Sequence, residues 1–210
     1  MGSNKSRLTK NRIALAPQRR HGKWRVATLL KSGATVIAEK GFQAATMAEI
    51  ASKAGAPIGS LYRFFPTKEI LADALIKGFE AVLDEAFGKI QGQIKTLSLA
   101  ALTRAFLSLM VDLQGEKAAL RALLEMHPDW SAKRERFRHI VLRHIAQTLK
   151  LRCPKLNVRT AESMAVVLLY NMKAVSALNA RREDAARSGA LVELHEMTRF
   201  YLLHKLGRRA

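Results

Sequence analysis

Residues able to carry covalent or metal chemistry are few in this chain of 210 residues, and they are poorly spaced for it. Among the six histidines, His139 and His144 form the one close pair. They stand five positions apart, whereas two ligands share a helix face at a separation of four, and no His-Glu-x-x-His run occurs. A lone cysteine, Cys153, cannot form an internal disulfide or a multi-cysteine zinc site. Arg152 beside it could lower the thiol pKa and make a redox sensor, but an incidental thiol is the simpler reading. Gly-x-Gly-x-x-Gly, phosphate-loop and Gly-x-Ser-x-Gly patterns are all missing from the sequence. The sequence therefore predicts no enzyme, no catalytic residue, no metal and no cofactor.

Charge points to a different chemistry. Thirty-six Lys and Arg against 17 Asp and Glu leave a net charge of +19 and a pI near 10.7. A balance of that sign implies a polyanionic partner, nucleic acid before an anionic membrane surface. The excess is uneven: residues 1–38 hold nine basic side chains, from Lys5 to Lys31, and the first acid is Glu39. Such asymmetry predicts a nucleic-acid arm, the alternative being a merely solvated tail. Leu8, Ile13 and Leu15 give the arm only a thin apolar face for lipid. The longest apolar run, AVVLLY at 165–170, is far short of the roughly 18 residues of a membrane span. With no secretory signal pattern and one cysteine, a cytoplasmic location without membrane contact is expected.

The elements that must position any site read as all-α. Hydrophobic residues at 49% and charged residues at 25% are ordinary for a globular protein. Prolines at 17, 57, 66, 128 and 154 mark boundaries, because a helix tolerates proline only in its first turn. The pattern gives about nine helices, near 23–39, 46–54, 57–65, 68–88, 96–113, 116–126, 131–151, 158–180 and 184–206. Leu29, Leu30, Gly33 and Ile37 share a face of the first, which Gly41 ends. Thr46-Met47-Ala48-Glu49 is a capping box, Gly55 suits a left-handed stop, and Thr67 caps the fourth helix. The eighth segment is apolar around much of its circumference, which a partner subunit could bury.

Residues 46–64 carry the strongest functional signal. A capped two-turn helix, a glycine turn and a second short helix make a helix-turn-helix, which places the second helix's first residues at base edges in the major groove. Ile50, Ala51, Leu61 and Phe65 can form its small core. Thr46, Met47, Ala48, Ile58, Gly59, Ser60, Tyr62, Arg63 and Phe64 are left outward.

Residues 34–71 closely resemble the N-terminal DNA-binding domain of TetR-family transcriptional regulators. The resemblance rests on Glu39-Lys40-Gly41-Phe42, Thr46-Met47, Ile50-Ala51, Ala54-Gly55, Gly59-Ser60-Leu61-Tyr62 and Phe65-Pro66-Thr67-Lys68-Glu69. It implies a basic arm over 1–22, a helix-turn-helix domain over 23–69, and a ligand-binding and dimerisation domain over 70–210. It also implies that Thr46 with the backbone of its helix start, Tyr62 and Lys68 touch phosphates, which set register rather than sequence. Base readout would fall to Ala48, Ile58, Gly59 and Ser60, with Arg63 and Phe64 near the groove. Two positions depart from the family pattern: Pro57 stands where serine is usual, and Gly33 replaces an alanine. Because the base-facing set has few long polar side chains, recognition is expected to lean on the arm, whose Arg and Lys can enter a narrow minor groove.

The same resemblance implies a repressor released from a pseudo-palindromic operator by a small-molecule effector. The fifth to seventh helices would enclose the effector, and helices near 158–180 and 184–206 would pair two subunits. Pocket candidates are Phe106, Met110, Arg121, Met126, His127, Trp130 and Met164. Most of these side chains are equally ordinary core fillers. If Arg121 faces inward, an anionic or carbonyl-bearing effector would suit it. The competing reading is an architectural DNA-binding protein held by charge with little sequence preference, although a helical domain of some 130 residues is superfluous to that role.

Overall fold

The computed structural model describes residues 20–113, 119–120, 123, 130–180 and 185–207. All elements among them are helical. The chain divides into two compact units between Lys77 and Gly78.

In the N-terminal unit α1 (Arg20–Ala44) presents Leu29, Gly33, Val36 and Ile37 to the interior at helical spacing. Gly41, at φ 79° and ψ 160°, interrupts the helix at the expected stop, since a side chain there would be strained. Phe42 then turns inward at 2% exposure. Helix α2 (Met47–Lys53) opens on the expected capping box and closes at Gly55, which adopts φ 57°. Helix α3 (Ile58–Phe64) starts one residue later than expected. Pro57 is its extended cap rather than its first helical residue, and its carbonyl accepts from the Ser60 amide at 2.9 Å. Thr67 caps α4 (Lys68–Gly92) through the Ile70 amide, and that helix runs past Gly88 to Gly92.

Ile50, Leu61, Leu71 and Leu29 are fully buried and hold α1 to α3 and the start of α4 around one core. Gly33 is explained by space. A Cβ there would lie 3.0 Å from Leu71 Cδ2, so the missing methyl lets Leu71 approach α1. On the surface, Lys40 donates to Glu49 and Lys53 to Glu39 (2.8 Å), tying α1 to α2.

The C-terminal unit holds the rest of α4, then α5 (Leu99–Asp112), α6 (Ser131–Arg152), α7 (Val158–Asn179) and α8 (Ala185–Leu206). Helix α7 is its centre, with α5, α6 and α8 all packed on it and α5 also on α8. It buries Met164, Ala165, Leu168, Leu169, Met172 and Val175. Of the helix expected near 116–126, only Ala119, Leu120 and Leu123 are described, and all three are buried. Helices α4 and α6 meet through rings and a short polar ladder. Phe87 stacks on His144 at 4.9 Å, Gln91 donates to the Thr148 hydroxyl, and Thr148 donates to the His144 carbonyl. His144 Nε2 lies 2.8 Å from Asp84 Oδ1 without forming a hydrogen bond to it.

Candidate nucleic-acid interface

Local chemistry builds the start of α2. The Thr46 hydroxyl accepts from the Glu49 amide at 3.2 Å. Glu49 Oε2 accepts from the Thr46 amide at 3.1 Å and from its hydroxyl at 2.9 Å. The Lys40 ammonium, and after it the Thr46 hydroxyl and amide, holds the Glu49 carboxyl down at about 2; Glu49 in turn raises Lys40. Thr46 therefore directs both of its protons at Glu49. A phosphate approaching it meets neighbouring amides rather than a free hydroxyl proton.

Most of the outward set is outward. Thr46, Ala48, Ile58, Gly59, Tyr62 and Arg63 are exposed, and Ser60 and Phe64 are half-buried. The Arg63 guanidinium sits 5.9 Å from the Phe64 ring centroid, so the two side chains share one ledge at the end of α3. Ile58 and Tyr62 are 46% and 47% exposed, one helical turn apart on a face that no intramolecular partner covers. Large side chains left in water on so short a helix fit a surface meant to be covered by something else.

Two of the expected contact residues have other surroundings in the structure. Met47 is 8% exposed and belongs to the unit's core, because the first turn of α2 directs it inward rather than at a groove. Lys68, read as a phosphate clamp, donates to the carbonyls of Phe42 (2.7 Å), Gln43 (3.0 Å) and Ala45 (2.9 Å). Its ammonium also lies 4.7 Å from the Phe42 ring centroid. An ammonium has three protons, and here all three have acceptors. Lys68 thus caps the chain leaving α1, where carbonyls have lost their helical partners.

The pocket candidates fare differently. Phe106, Met110, Trp130 and Met164 are all buried, at 7% exposure or less. Arg121, Met126 and His127 lie outside the described residues, as do residues 1–19 of the arm. One concavity of the C-terminal unit is a groove of about 1120 Å³ along the end of α4, α6 and α7. None of the expected residues lines it. Its own residues, Lys95, Arg143 and Val158 among them, carry no motif that the sequence analysis singled out. The only available hint was the alternation of Leu142, Arg143, Ala146 and Lys150 along α6. Cys153 is buried at 2% exposure, which denies it the access a redox thiol needs. Among the described residues no group of three or more metal-ligating side chains occurs, and no helix is long and apolar enough to cross a membrane.

A capped short helix, a glycine turn and a second short helix with an uncovered face define a helix-turn-helix module. Residues 29–75 match the family model described as bacterial regulatory proteins, tetR family. It is similar to the HTH-type transcriptional repressor KstR2 of Rhodococcus jostii, 46% identical over 61 residues. That alignment covers 29% of this chain and only 28% of the repressor. Across both units the fold is similar to Salmonella enterica GusR, with a TM-score of 0.62 at 17% identity over 87% of this chain and 95% of that one. It is also similar to the Bacillus subtilis transcriptional regulator FadR solved with stearoyl-CoA, with a TM-score of 0.59 at 19% identity over 84% and 96% of the two chains.

Proposed function

We propose that this protein is a dimeric transcriptional repressor that binds a pseudo-palindromic operator through α3 and leaves it when a small-molecule effector binds the C-terminal unit. The observation that carries the reading is the uncovered face of α2 and α3, with Ala48, Ile58, Gly59, Tyr62 and Arg63 exposed above a fully buried core. Ala48 and Ile58 suit thymine methyl groups, Tyr62 suits a phosphate, and Arg63 is the one long donor of the set able to address guanine. The kinship of residues 29–75 to repressors supports the DNA half, and the FadR complex with stearoyl-CoA supports a small-molecule effector.

Dimerisation is supported by a second uncovered surface. Val167 and Tyr170 on α7, with Val192, Met197, Phe200 and Leu203 on α8, are 40–59% exposed. So many large apolar side chains on two adjacent helices fit a second copy of the chain, and two-fold symmetry would set the recognition helices roughly 34–36 Å apart.

The test is selection of binders from a random duplex pool at about 150 mM salt, followed by footprinting. A two-fold symmetric enriched site is expected. Tight binding without enrichment would replace this reading with a purely architectural role, and no binding would refute the DNA half outright. Removing residues 1–20 is expected to weaken binding and flatten its salt dependence, because each lost phosphate contact removes about 0.9 from the slope. An unchanged slope would exclude the arm from the interface.

A further inference from the structure

The groove of about 1120 Å³ on the C-terminal unit combines two chemistries that the core cavities of a helical bundle rarely combine. Leu142 and Leu151 of α6 and Val158 and Val166 of α7 give it an apolar lining. Leu151 and Val158 are 51% and 58% exposed, so this apolar surface faces water when the groove is empty. Lys95, Arg143 and Lys150 line the same groove, against a single acid, Glu162. The Lys150 ammonium donates to the Leu156 carbonyl at 3.0 Å. Lys95 and Arg143 form no ion pair or side-chain hydrogen bond among the described residues. On α7 the groove adjoins the surface assigned above to a second copy, since Val166 of the groove and Tyr170 of that surface stand one helical turn apart.

We infer that this groove binds an anionic amphiphile: an unbranched apolar chain ending in a carboxylate or a phosphate. A nucleic acid would satisfy the cations but leave the leucines and valines against a charged backbone. A neutral hydrophobe would satisfy the lining but gain nothing from Lys95 and Arg143, which would stay hydrated. A molecule carrying both parts satisfies both. This names the effector class for the sensor reading above and rests on that reading only for its consequence at DNA.

The experiment titrates the full-length protein, without DNA, by calorimetry with palmitate, palmitoyl-CoA, decanoyl-CoA, CoA alone and a neutral alkyl glycoside, each below its micelle concentration. One anionic amphiphile is expected to bind per chain, with about tenfold weaker binding for every two methylenes removed. The double variant Lys95→Glu, Arg143→Glu alters two exposed positions, so its helical circular dichroism should match the parent. It is expected to weaken binding of the amphiphile at least tenfold. Preference for palmitate supports a carboxylate head, and preference for palmitoyl-CoA supports a phosphate head. CoA or the neutral glycoside binding as tightly as palmitoyl-CoA, or a double variant that binds like the parent, overturns the inference. So does binding only of an acidic amphipathic peptide, which would make the groove a protein-docking site. A parallel gel shift on the selected duplex keeps the two readings separable. Amphiphile binding without DNA binding sinks the repressor alone, and DNA binding without amphiphile binding sinks the groove alone.

Discussion

Lys68 offers the sharpest test of the N-terminal unit, because its sequence role and its structural role predict different outcomes. Lys68→Met keeps most of the stem and removes the ammonium. Of the three carbonyls that lose a donor, that of Gln43 is exposed and regains water, while those of Phe42 and Ala45 are partly buried. A hydrogen bond to a charged donor contributes about 1.5–3 kcal/mol, so two at the low end come to about 3 kcal/mol. Losing the contact with the Phe42 ring adds about 0.5 kcal/mol, and the ammonium's recovered hydration subtracts from both. The net expectation is about 2–3 kcal/mol, or a roughly 30- to 150-fold fall in amide protection for slowly exchanging sites of the unit such as Ile50. Hydrogen exchange on the DNA-free protein reads this directly. Lys53→Met, which breaks only an exposed pair with Glu39, is the control and should cost under about 1 kcal/mol. If Lys68→Met lowers protection no more than Lys53→Met does, the capping role is wrong. A phosphate clamp would show instead as intact protection with a salt slope on DNA reduced by about 0.9.

Other consequences follow from single contacts. Glu49 has a carboxyl depressed to about 2, so its contribution to α2 is complete above the ordinary carboxylate range near 4.5 and is lost as pH falls from there through about 2. A carbon-detected titration of Glu49 should show that midpoint, and Lys40→Met should move it up; an ordinary midpoint in the parent would refute the network. Gly55→Ala meets no atom within 4 Å but must hold φ 57°, so about 1–2 kcal/mol of stability should be lost from backbone strain alone. Denaturant melts showing no loss would mean that the turn relaxes. Val192→Glu with Phe200→Glu changes two exposed positions of α8, and sedimentation should then report a monomer with unchanged helix content. A dimer that survives both charges would place the subunit interface elsewhere.

What the sequence determined by itself is local. The capping box at Thr46 and Glu49, the left-handed stop at Gly55, the cap at Thr67 and the 3.6-residue rhythm of Leu29, Gly33 and Ile37 each depend on residues within a turn or two of one another. Backbone preference and short side-chain hydrogen bonds settle such features before any long-range contact forms. The helix-turn-helix core was legible for the same reason: Ile50, Ala51, Leu61 and Phe65 fall within two short helices and their turn, and all are buried. Tertiary structure decided whatever depends on a partner distant in sequence. Lys68 reaches back 23 to 26 residues to the end of α1. Gly33 is glycine because Leu71 comes close, which no count of helix propensity reveals. Met47 turns inward although the pattern places it outside, because a seven-residue helix has too little periodicity to fix its face. The groove joins Lys95, Arg143 and Val158 from three stretches of chain, none of which carries a motif that the sequence analysis singled out. Side-chain types limit which chemistries are available, but only packing decides which side chains meet.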